Sequence, residues 1–234
     1  QEGVATILIQ PAAESIVLYE LAMIQGDTQS TLTACNPLAD SAVSQRLLAE
    51  IGDPSSELAE LKDVQIRRKS PSNKKSAILA QLAVDVELLD RLVGPISRVT
   101  AFSPRQSDDA LQSLSVTMAG DGQTVIQWSY QVGDHDDARL HASGTKGQQT
   151  LPLASGADGK QLADSIDATL HGATTERFQR ACRAMEIAEA AAESLRRGRT
   201  IQLYQQERSE QQSFKGIMAA GGCLLLLGLL AMLA

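Results

Sequence analysis

The chain has 234 residues, of which 43% are hydrophobic and 21% charged, a balance that supplies a core and excludes disorder as the default. Its formal net charge of -7 with scattered Lys and Arg excludes a nucleic-acid surface, which needs clustered cations. Cys35, Cys182 and Cys223 are odd in number and widely spaced, with no CxxC, so neither a disulfide framework nor a zinc site is expected and a reducing compartment fits.

The first residues are Gln1-Glu2-Gly3, without a charged-then-apolar leader, so the start reads as truncated or processed. Val4 to Ile9 is a short β-branched run of the kind that forms a buried parallel strand, and it stops at Gln10-Pro11. A helix follows on Ile16, Leu18, Tyr19, Ala22 and Met23, with Gly26 placed to end it. Thr31 to Cys35 is a second small strand, closing at Asn36-Pro37. Strand, helix and strand in so short a stretch predict the last unit of an open α/β sheet, over residues 1-36.

From there an α+β domain is expected over 37-204. Ser41 to Ile51 is amphipathic, Asp53-Pro54 makes a turn, and Val64 to Arg68 alternates as a strand does. A long helix runs from about Ser76 to Val93 and is stopped by Gly94-Pro95. The period then changes to two, predicting strands at Ser97 to Phe102, Leu111 to Met118, Thr124 to Val132 and Arg139 to Ser143, with Gly120-Asp121-Gly122 as a hairpin turn. Short connections imply a large, mainly antiparallel sheet. Two helices follow, Lys160 to Leu170 and Glu176 to Arg197. The second has cations at its C-terminus, where the helix dipole favours them, and Gly198 as its stop.

Residues 205-216 read as a polar tether. Ile217 to Ala234 carries no charge and seven Leu, and reaches roughly 27 Å as a helix, which predicts one C-terminal transmembrane helix. Arg208 and Lys215 precede it and nothing basic follows, so the positive-inside rule places the large domain in the cytoplasm at a membrane.

Five segments in order resemble the Gfo/Idh/MocA oxidoreductases. Gln1-Glu-Gly-Val-Ala-Thr-Ile-Leu-Ile-Gln-Pro11 is similar to the strand of that family ending in Glu-Lys-Pro. Thr31 to Asn36 is similar to the next strand and its Gly-Phe-Asn-type turn. Arg139-Leu-His-Ala-Ser-Gly-Thr-Lys-Gly147 resembles a Gly-Thr-Lys-Gly sheet turn, and Glu186 to Ser194 with Gly198 to Leu203 resembles the last helix and closing strand. The resemblance implies a Rossmann domain holding NAD or NADP, and a sheet domain that binds a sugar, inositol or related polyol and forms a homo-oligomer. No GxGxxG, whose glycines let the backbone approach a pyrophosphate, occurs in the chain, so no cofactor is expected to bind this chain alone.

The same resemblance locates a site. Gln10, Pro11 and Asn36 fall beside the cofactor. In the family a Lys in the Glu-Lys-Pro turn and an Asp/His pair four residues apart on the sheet-domain helix handle the proton that accompanies hydride transfer. Here Gln10 stands at the Lys position, and an amide does not exchange a proton at neutral pH. On the helix, Glu87-Leu-Leu-Asp90 puts Glu87 at the His position and Ala83 at the upstream Asp position, whereas a shift of two gives Gln81 and Asp85. Either register keeps a carboxylate able to act as a base and lacks the His, so two readings stand: a repurposed acid/base site on Glu87 or Asp85, or ordinary helix-surface carboxylates. In the second reading the protein is a non-catalytic paralogue that binds or scaffolds. Asp134-His135-Asp136-Asp137 reads as a solvated loop rather than a metal site. Trp128 and Tyr130 share one side of a strand, as a sugar-stacking platform or as packing.

Overall fold

A computed structural model of the chain describes residues 5–10, 15–28, 31–104, 109–120, 122, 124–153, 159–171 and 175–203. Strand β1 (Ala5–Ile9), helix α1 (Ser15–Thr28) and strand β2 (Thr31–Cys35) form the expected α/β unit. The two strands pair in parallel, from Ala5 opposite Thr31 to Ile9 opposite Cys35. Leu32, Thr33, Ala34 and Cys35 are all buried, which is why β2 reads as continuous rather than alternating. Helix α2 (Ala42–Gly52) is N-capped by Ser41, whose hydroxyl accepts from the Ser44 N–H at 3.3 Å.

Seven further strands make one sheet: β3 (Leu61–Ser70), β4 (Ile96–Phe102), β5 (Ser113–Gly120), β6 (Val125–Val132), β7 (Asp137–Gly144), β8 (Gln148–Pro152) and β9 (Ile201–Gln202), ordered β8-β7-β3-β6-β5-β4-β9. Every pairing is antiparallel except β3 with β6, which is parallel. One face of the sheet is apolar and buried, through Val64 and Ile66 on β3, Leu114, Val116 and Met118 on β5, Ile126 and Trp128 on β6, and Leu140 on β7. Helices α3 (Lys75–Val93) and α5 (Thr175–Arg197) pack on each other, α3 on β3 and β6 and α5 on β4. The residues between the buried ones, such as Gln65, Thr100, Thr117 and Gln127, point to the open face, as the period of two requires. Helix α5 also packs against α1 and β2, and helix α4 (Gly159–His171) against β2. The Tyr19 hydroxyl hydrogen-bonds Glu186 across the α1–α5 contact.

Two features differ from expectation. Strand β3 inserts between β6 and β7, which makes one parallel pair inside a sheet expected to run by consecutive hairpins. Strand β8 lacks a signal in the sequence, because Gln148 to Pro152 is a polar edge strand with one apolar residue of substance and no apolar alternation.

The fold class itself needs one correction. Among the described residues no helix is long and apolar enough to cross a membrane. The long helices fail for a clear reason: α3 carries Asp85, Glu87, Asp90 and Arg91, and α5 carries Arg and Glu throughout. The segment assigned to a transmembrane helix, 217–234, and the tether before it lie outside the described residues. The described residues therefore form an α/β unit with an α+β sheet domain, and none of their helices is one that crosses a membrane.

The Gly144-Thr145-Lys146-Gly147 turn is bound to the segment before β3. Gly144 N–H donates to the Gly147 carbonyl at 2.8 Å, Thr145 N–H to Glu60 at 3.0 Å, and Lys146 Nζ to the Pro54 carbonyl at 2.8 Å. A Cβ on Gly144 would lie 2.7 Å from the Glu57 carbonyl oxygen and 2.8 Å from the Leu58 Cα. Both are backbone atoms, so Gly144→Val is expected to cost about 1–3 kcal/mol of stability, as overpacking does. Urea denaturation should show a lower midpoint with an unchanged slope.

Candidate functional site

The carboxyl ends of the two parallel strands meet the middle of α3, the end at which open α/β sheets bind their ligands. Gln10 follows β1, and its backbone N–H donates to the Cys35 carbonyl at 3.0 Å. Asn36 follows β2 and is 1% exposed. Its Oδ1 accepts from the N–H groups of Leu38 and Ala39 at 3.1 and 3.2 Å, the local turn that an Asn side chain favours. That bond set orients the amide. Its Nδ2 therefore faces the Val84 carbonyl at 2.9 Å, Glu87 Oε2 at 3.1 Å and Gln10 Oε1 at 3.3 Å.

Glu87 is held from its other side by Arg91, one helical turn on. Arg91 also reaches Asp40 at 3.3 Å, and Asp40 in turn accepts from Arg177 at 2.8 Å and from the Ser165 hydroxyl at 3.1 Å. The Ser165 hydroxyl lies 3.0 Å from Cys35 Sγ. The junction of the α/β unit, α3, α4 and α5 is thus a chain of alternating charges, each buried carboxylate facing a guanidinium, which is the condition for burying them. Burial pushes the Cys35 thiol up, and it pushes Cys182 up to about 11, with Glu186 adding to the shift, so neither is a thiolate nucleophile at neutral pH.

Asp85 lies two residues before Glu87, on the other side of the helix. It is fully buried against the sheet, where Arg68 grips it with two hydrogen bonds of 2.5 and 2.6 Å and the Trp128 indole N–H donates at 2.7 Å. Asp90, three residues after Glu87 on α3 and beside Gly94-Pro95, accepts from the Ile96 N–H at 3.1 Å, and burial raises its pKa.

Of the residues singled out in the sequence, Gln10, Asn36 and Glu87 come together. Asp85 does not join them, and Pro11 lies outside the described residues. Asp85 and Glu87 are both buried, so neither is an ordinary surface carboxylate. Trp128 and Tyr130 stack with ring centres 6.0 Å apart. Both are buried, with the Tyr130 hydroxyl donating to the Ser72 carbonyl at 2.6 Å, so they pack the core rather than present a platform. No group of residues able to hold a metal occurs among the described residues. Asp40, Arg91, Arg177 and Arg68 were missed. A signal existed for Arg68, since the alternation Val64, Ile66, Arg68 puts a cation at an inward position, and for Arg91, four residues after Glu87. Asp40 and Arg177 gave none.

The residues present do not fit a whole dinucleotide. Two parallel strands offer polar side chains at their carboxyl ends, but the glycine turn that approaches a pyrophosphate has no counterpart in the sequence.

No family model and no curated protein matches the sequence. Solved structures do. A myo-inositol dehydrogenase from Corynebacterium glutamicum superposes with a TM-score of 0.70 at 18% identity, over 86% of this chain and 74% of that one. GenD2 from gentamicin A biosynthesis, in complex with NAD, gives 0.69 at 17% identity over 86% and 72%. The WlbA dehydrogenase from Chromobacterium violaceum, in complex with NADH and UDP-GlcNAcA, gives 0.67 at 15% identity over 88% and 72%. At such identities the likeness speaks for architecture, and the chain has the fold of the Gfo/Idh/MocA-type dehydrogenases.

Proposed function

We propose that this chain is an oxidoreductase-like protein of the sugar or polyol dehydrogenase type that binds its ligand without driving proton transfer through the inherited positions. One observation carries the reading: every candidate acid or base there is neutral or already saturated. Gln10 is an amide, Glu87 is shared between Arg91 and Asn36, and Asp85 is clamped by Arg68 and Trp128. Both oxygens of each carboxylate already accept hydrogen bonds inside the fold, so neither is presented bare to a ligand hydroxyl. The ligand class follows the fold's neighbours, an inositol dehydrogenase and a UDP-GlcNAcA complex. An NAD-type cofactor belongs to the complete fold, and residues 1–234 alone are expected to bind neither NADH nor NADPH. The open sheet face, where Phe102 and Val125 are exposed, is the surface we assign to a homo-oligomer.

The test uses the full protein with NAD+ or NADP+ and myo-inositol, following reduction of the nicotinamide and, separately, polyol binding by calorimetry. Binding without turnover is the expected result. If turnover does occur, Glu87→Gln and Asp85→Asn discriminate. A general base contributes about 100- to 10,000-fold, so a loss of that size in either variant, with its thermal unfolding unchanged, would sink the reading, whereas a change under about tenfold would leave it standing.

A further inference from the structure

We draw no further inference here: the strongest candidate, the exposed apolar face of helix α1 formed by Ile16, Val17, Met23 and Ile24, carries nothing, because nothing in the structure shows what covers it.

Discussion

Replacing Asp85 by Ala is expected to destabilise the protein by about 3–5 kcal/mol, the usual result of breaking a buried ion pair from one side. The carboxylate is the shared acceptor for both the Arg68 guanidinium, at 2.5 and 2.6 Å, and the Trp128 indole, at 2.7 Å. Arg68 is only 7% exposed and cannot reach bulk water from its place on β3. Its charge would therefore remain buried without a counter-ion, and the indole N–H without an acceptor. For a domain of this size the loss corresponds to a drop in Tm of roughly 6–20 °C. The double variant Arg68→Met with Asp85→Leu separates the pair from the penalty. Removing both charges together is expected to cost much less than removing Asp85 alone, since an apolar pair of similar volume fills the space without desolvating a charge. Equal losses in the single and double variants, measured by urea denaturation, would mean that packing rather than the ion pair holds α3 to the sheet.

Asn36→Ala is expected to cost about 2–4 kcal/mol, from an order of 1–3 kcal/mol for each buried group left without a partner. The side chain closes the turn after β2 by accepting from Leu38 and Ala39, and joins that turn to α3 by donating to the Val84 carbonyl and Glu87. Ala preserves the backbone and loses all of these bonds. Asn36→Asp should be no better. It retains the acceptor for the two N–H groups but sets a second oxygen against the Val84 carbonyl and Glu87. Hydrogen exchange supplies a local readout, with the Leu38 and Ala39 amides expected to lose protection before those of β5 and β6. Unchanged protection at both amides in Asn36→Ala would show that the turn is held by its backbone bonds alone.

Both effects converge on α3, through Asp85 on one side and Glu87 on the other, and their separation was partly legible in the sequence. Residues two apart on a helix point to different sides, so Asp85 and Glu87 could not serve one site together. Which of them meets Gln10 and Asn36 was not legible, because that depends on how α3 is rotated against strands distant in sequence, the nearer contact, Asn36 with Glu87, being 51 residues apart. The rotation is set by the apolar residues Leu82, Val86 and Leu89, all buried. Likewise the alternation along β3 marked Arg68 as inward-pointing but named no partner for it.

Local pattern determined the elements. Thr31 to Cys35 was delimited by its β-branched and apolar run and the Asn-Pro that follows, and α3 by its periodicity and by Gly94, whose φ of 82° is costly for other residues. Order along the chain determined the family resemblance as well. Only the tertiary structure decided that β3 lies in parallel beside β6, that the polar strand β8 belongs to the sheet, and that Glu87 rather than Asp85 joins the junction with Gln10 and Asn36. The reason is the range of the interactions. A helix or a buried strand is specified by neighbours within a few residues, whereas strand pairing and the matching of buried charges depend on which surfaces remain uncovered once the whole core has packed.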